Sequence, residues 1–240
     1  MGAAGKLQDP PLEPVLHRGP ALVVTAVALA FELGVAAYGF WQVPRGARVA
    51  IHWDAVGRAN GYADAVFAFL LVPVLTAAIS AGLALLPSIE PRRRNLQMSG
   101  AAYTAVWISL LLLMAAVQGA VVFSATGLAR SETMARLAPA AVGVVLAVVG
   151  NYLGKVRSNF FFGIRTPWTL SSERSWNRTH RLGGRLFIAV GLTAAGTSVF
   201  PLVGFAALGV GALVVIVILF IYSYVEWSRD PAKLPMGRVG

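Results

Sequence analysis

Apolar runs near 20 residues recur along this chain, separated by short polar segments, and runs of that length cross a bilayer as helices. The pattern predicts six spans, at 21–40, 66–86, 103–123, 137–153, 185–200 and 203–225. The fourth is short. Only Pro201 and Leu202 separate the fifth from the sixth, which predicts a tight helical hairpin. The first run is too long for a cleaved signal peptide, and no small-residue cleavage site follows it. Residues 1–19, with Pro10, Pro11 and Pro14, read as a flexible tail, residues 20–230 as one transmembrane domain, and residues 231–240 as a second tail.

Composition agrees with this reading. Hydrophobic residues make up 57% of the 240, and charged residues only 12%, against about 25% in an ordinary soluble domain. The fold expected is an all-α integral membrane protein. Cysteine is absent, which excludes disulfides, thiolate metal sites and a cysteine nucleophile. The net charge of +10 would suggest nucleic acid in a soluble protein. Here basic residues gather in loops that stay in the cytoplasm, so the expected partner is the lipid bilayer, with no direct nucleic-acid contact.

Lys and Arg set the orientation. The N-terminal tail, the 87–102 loop, the 154–185 loop and the C-terminal tail together hold 15 of them, and the opposite side holds 5. Both termini are therefore expected in the cytoplasm of a multi-pass protein. The segment 151–185 then faces inward and the loop 42–65 outward.

The outward loop reads VPRGARVAIHWDAVGRANGYAD over 43–64. Gly57 and Gly61 sit where a compact turn needs positive φ or close packing. Trp53 and Tyr62 suit a membrane interface. Either a small recognition lobe for an external ligand or a purely structural loop fits this pattern. His52 and Asp54 lie two apart and could share a metal in a strand. A transition-metal site needs three or four ligands, and His17 and His180 are expected across the membrane. No metal and no cofactor is expected.

The inward segment, NYLGKVRSNFFFGIRTPWTLSSERSWNRTHRLG over 151–183, is dense in Arg, Asn, Trp and Thr. Pro167 forces Thr166 out of helical geometry, so GIRTPW reads as an extended strip. Ser171 can cap a helix beginning at Ser172 that runs on into the fifth span. That helix places Trp176, Thr179, His180 and Gly183 on one face. Lys155 and Arg157 can snorkel to headgroups, and Phe160, Phe161 and Phe162 can dip into the interface. Three readings stand side by side. The segment docks a protein partner, or it lines an inward pocket where Arg165, His180 and Arg181 face an anionic group, or it is a positive-inside anchor. Arg165 offers a planar fork of donors, with Pro167 fixing the chain beside it. Trp168 and Trp176 are expected at headgroup level.

Glu32 lies midway along the first span, where a charge costs about 2.5–3.5 kcal/mol on insertion scales. It is either protonated or paired, with Thr104, Ser109 or Thr193 as hydroxyls within the apolar runs. No metalloprotease, hydrolase or phosphate-loop motif occurs, so no catalytic residues and no enzyme are expected.

The 151–183 residues resemble the SdpI-type family of bacterial membrane proteins. The resemblance rests on Asn151, Lys155, Asn159, Gly163, Ile164, Arg165, Thr166, Pro167, Trp168, Thr169, Leu170, Trp176, Thr179, His180, Arg181 and Gly183. The outward loop is similar to an IHWD…G…GY motif that often precedes this segment, carried by Ile51, His52, Trp53, Asp54, Gly57, Gly61 and Tyr62. The resemblance implies a bacterial cytoplasmic-membrane protein that gives immunity to a secreted antimicrobial peptide by binding. It also implies a receptor role, holding a cytoplasmic transcriptional repressor at the membrane. A transporter or lipid-modifying enzyme using Glu32 is the remaining alternative. The residues expected to meet ligand or partner are Asn151, Lys155, Asn159, Arg165, Trp168, Trp176, Thr179, His180 and Arg181 inside, and His52, Trp53 and Tyr62 outside.

Overall fold

The computed structural model describes residues 18–234. His17, the tail prolines, and the ends of both expected tails lie outside the described residues. Six long helices account for the six apolar runs: α1 Gly19–Gln42, α2 Ala65–Ile89, α4 Gly100–Ala125, α5 Ser131–Leu153, α7 Glu173–Thr197 and α8 Pro201–Ser228. Two short helices, α3 Arg93–Met98 and α6 Pro167–Leu170, sit in the connecting segments. One antiparallel hairpin, β1 Arg48–Trp53 and β2 Ala59–Asp64, interrupts the helical fold.

Five helices, α1, α2, α4, α5 and α8, are long and apolar enough to cross a membrane. The chain is a multi-pass cell-membrane protein. The helix α7 differs because its first half carries Arg174, Arg178, Arg181 and Arg185. Only the stretch beyond Arg185 is free of charge. The fourth run is not short, since its helix starts at Ser131 and has 23 residues. Pro201 does not lie between the last two helices but opens α8, where its missing N–H costs nothing.

The long helices form two groups of three. In the first, α1, α2 and α4 pack together. Ala21, Ala28, Leu96, Tyr103, Trp107 and Leu111 form one cluster, and Ala36, Ala68, Phe69, Val121 and Val122 with Val49 of the hairpin form another. In the second group, α7 packs between α5 and α8, and α4 meets α5 where the groups join. A third cluster, Ala102, Val156 and Trp176, binds the loop after α5 to both groups.

Glu32 is fully buried between α1, α2 and α4. Its partner is none of the hydroxyls expected. Thr76 of α2 donates to Oε1 at 2.9 Å, and Gln118 of α4 donates to the Phe69 carbonyl at 3.0 Å and toward the Glu32 carbonyl at 3.4 Å. Thr76 was hidden in a run that reads as uniformly apolar.

Candidate functional site

The segment expected to face inward continues past the end of α5 at Leu153 and folds back as an irregular loop over 154–166. Asn159 organises it. Its Oδ1 accepts from the amides of Phe161 at 3.1 Å and Phe162 at 2.6 Å, and its Nδ2 donates to the carbonyls of Arg157 and Phe162, both at 2.9 Å. One buried amide therefore satisfies four backbone groups that no helix or sheet would satisfy.

The connection between α2 and α4 clamps the same loop. Glu90, 4% exposed, accepts from the amides of Arg92, Phe160 and Phe161 at 2.9–3.1 Å. Arg92 donates to the Ser158 hydroxyl and Asn95 to the Ser158 carbonyl, while Ser99 accepts from the Arg157 amide. Glu90 stands two residues before the run Arg92, Arg93 and Arg94. In the fold it serves backbone amides, a role with no local sign in the sequence.

Trp176 and His180 lie beneath the loop and are both inaccessible to solvent. Their rings stack at 4.0 Å. The Trp176 indole donates to the Val156 carbonyl at 2.8 Å. His180 Nδ1 donates to the Trp176 carbonyl at 2.8 Å, and Nε2 accepts from the Ile164 amide at 2.9 Å. Both ring nitrogens are thus occupied, in the neutral Nδ1–H tautomer. Burial holds the imidazole down at about 4, and the bond to the Trp176 carbonyl offsets this only in part. Gly163 crosses this stack at φ +126°, and a side chain there would overlap His180 Nε2 and the Trp176 ring.

The extended strip ends at Thr166. Thr166 and Thr169 cap each other around the single turn α6, and Thr166 also donates to Ser223 of α8 at 3.1 Å. Trp168 packs edge-on against Phe220 at 4.7 Å and Tyr224 at 5.3 Å. Ser172, not Ser171, is the N-cap of α7, accepting from the Ser175 amide and donating to the Asp230 carboxylate. That hydroxyl holds the Asp230 carboxyl below its usual range. The Leu234 amide donates to the Ser171 carbonyl at 2.9 Å. Residues 230–234 are therefore docked, where a flexible tail was expected. Arg174 and Arg178 both reach Glu226, at 3.0 and 3.5 Å.

The expected inward residues thus divide in two. Asn159, Trp176, Thr179 and His180 are buried, and Trp176, enclosed by protein, does not face the headgroups as expected. Asn151, Lys155, Arg165 and Arg181 are exposed, and Trp168 is half-buried. His180 does not join Arg165 and Arg181 around a pocket. The Arg165 guanidinium lies over the Phe160 ring at 4.6 Å. Phe160 and Phe161 are exposed, while Phe162 turns inward against Tyr103.

On the other side of the fold, the hairpin stands on the ends of α1 and α4. Asp54 caps its turn, accepting from the amides of Val56 at 3.0 Å and Arg58 at 2.8 Å, and Gly57 supplies φ +85°. His52 faces Gly61 across the strands and bonds Asn60. So the Asp54 carboxylate serves the turn and is not paired with His52. Arg48 donates to the Tyr62 carbonyl at 2.8 Å. A cavity of about 320 Å³ opens between the hairpin and the helix ends, lined by Val43, Val49, Trp53 and Tyr62 among others. Tyr62 is 51% exposed at its edge.

Residues 155–224 match the model of the SdpI/YfhL protein family. The chain is also 34% identical over 59 residues to the "Immunity protein SdpI" of Bacillus subtilis (strain 168). That alignment covers 25% of this chain and 28% of the relative, so the chain spans little more than a quarter of that protein's length in the match. No solved structure matches the chain. The family match begins at Lys155, so Asn151 and the hairpin lie outside it.

Proposed function

With residues 155–224 forming an SdpI-type segment in a multi-pass membrane protein, we propose that the chain confers immunity. It protects the producing or a neighbouring cell against a secreted antimicrobial peptide, and it acts by binding, not catalysis. The observation that carries this reading is the match of residues 155–224 to the family model, beside the 34% identity over 59 residues to an immunity protein. Two features of the site support binding. The imidazole of His180 is engaged in the fold, since both its nitrogens are occupied by backbone groups. The hairpin offers an accessible concave surface, with Tyr62 at its edge.

In this reading both termini lie in the cytoplasm and the hairpin faces outward, where a secreted peptide arrives. Cells lacking the protein, challenged with small secreted peptides encoded beside it, become sensitive, and restored expression protects them. Unchanged sensitivity across those peptides removes the proposal. Reporter fusions at Gly57 and Ser171 check the sidedness, and an outside signal at Ser171 reverses it.

A second reading is favoured by the exposed Arg165–Phe160 pair with Phe161 beside it. This basic and aromatic surface suits a cytoplasmic repressor protein held at the membrane. Capture of a neighbouring regulator by the native protein but not by Arg165→Ala supports it. Equal capture by both removes the docking surface.

A further inference from the structure

The helices α5 and α7 touch along a seam of small residues. A Cβ on Gly143 would meet the Gly191 carbonyl, one on Gly150 would lie 2.6 Å from the Gly184 carbonyl, and one on Gly154 would lie 3.3 Å from Arg181 Cγ. Positions rise along α5 as they fall along α7, so the helices run antiparallel. Small residues let two such backbones approach within a membrane.

One residue beyond a seam position lies about 100° round the helix. In an antiparallel pair this rotation carries both helices' side chains to the same flank. That flank holds Val144, Val148, Asn151 and Lys155 after the α5 seam positions, and Arg185, Ala189 and Leu192 after those of α7. Gly154 keeps near-helical angles, φ −67° and ψ −9°, which holds Lys155 in sequence with the others. The helix α8 packs on the opposite flank, where Gly211 meets Val190 and Gly204 meets Pro139.

The flank is two-toned. Asn151, Lys155, Arg181 and Arg185 are exposed at its inward end. Among the described residues, none of these cations has a carboxylate within ion-pair distance, because the ion pairs there are Arg174 and Arg178 with Glu226. Seven residues deeper on each helix, about 10 Å along the axis, lie Val144 at 55% and Leu192 at 62% exposure. Four donors thus stand over an open apolar groove.

We propose that this flank binds an anionic phospholipid of the inner leaflet. The phosphodiester sits among Asn151, Lys155, Arg181 and Arg185, and an acyl chain runs along Val148, Val144 and Leu192. The donors offer nothing to an ammonium group, because neither helix carries an acid over 133–153 or 174–197. A phosphatidylglycerol-type headgroup is therefore favoured over a zwitterionic one. Basic pockets between helices on the cytoplasmic side suit such headgroups.

The test uses the full chain, delipidated in detergent, with bound lipid counted by native mass spectrometry and melting followed alongside. Phosphatidylglycerol is expected to stay bound and raise the melting temperature, while phosphatidylcholine and free glycerol phosphate do neither. The triple variant Lys155→Gln/Arg181→Gln/Arg185→Gln is expected to bind phosphatidylglycerol roughly a hundredfold more weakly. A control with the same charge loss elsewhere on that face, Arg93→Gln/Arg94→Gln/Arg229→Gln, is expected to bind as the native chain does. Equal binding of phosphatidylcholine overturns the proposal, as does an equal melting shift with glycerol phosphate. So does retained phosphatidylglycerol binding in the triple variant, or an equal loss in the control.

Discussion

The 154–183 segment and the 43–64 hairpin are both rich in polar and aromatic residues, yet they use them differently. In the segment, Asn159, Trp176 and His180 are buried and bonded to backbone groups of the same loop. In the hairpin, Asp54 alone serves the turn, and His52 and Tyr62 remain exposed. An irregular loop packed between helices must have its buried amides satisfied by side chains, its own or a neighbour's. A two-stranded hairpin satisfies its own and leaves side chains free. A motif full of polar residues can therefore mark a buried loop's scaffold as readily as a binding site.

The largest test of this contrast is Trp176→Ala. It removes a buried aromatic ring and leaves the Val156 carbonyl without its donor. The expected loss is about 3–5 kcal/mol, seen as low membrane abundance and a lowered melting temperature. Native-like abundance would break the comparison.

The pH dependence is next. His180 is neutral and buried, with its folded value near 4 against 6.5 unfolded. Between those values the unfolded chain binds a proton that the folded chain refuses. Stability is therefore intact above 6.5 and falls as pH drops toward 4, by on the order of 3 kcal/mol. Melting curves of native protein and His180→Gln should differ in slope across this window, and equal slopes would assign the dependence to other groups.

The hairpin should behave in the opposite way. Tyr62→Ala and His52→Ala touch exposed side chains, so stability should stay within about 0.5 kcal/mol. Protection against the secreted peptide should fall at unchanged abundance. If protection survives both changes, the cavity beside Tyr62 is not the peptide's site.

Much of this was legible in the sequence. Apolar runs marked all six long helices, and the serines at 171–172 marked the start of α7 to within one residue. Pro167 marked the extended backbone at Thr166, and Gly57 and Gly61 a positive-φ turn and a close approach, but not the two strands around them. What stayed hidden was pairing. Glu90 bonds amides 70 residues away, and Thr76 meets Glu32 from another helix. Neither contact leaves a local pattern, because each depends on how separate helices are placed. The same holds for the glycine seam of α5 and α7, whose members look ordinary within each apolar run. His180 and Trp176 were conspicuous by type, but type alone could not distinguish a buried stack from an open site.

Arg165→Lys tests the division of the segment most directly. Arg165 is exposed and rests on Phe160, a contact worth about 0.5–1 kcal/mol at an exposed site, and Lys keeps the charge but loses the planar fork. Membrane abundance, melting temperature in detergent and protection, measured on the same preparation, decide it. The account predicts native abundance and melting with lost protection or partner binding. Abundance and melting that fall together with protection would make Arg165 part of the scaffold and contradict the account.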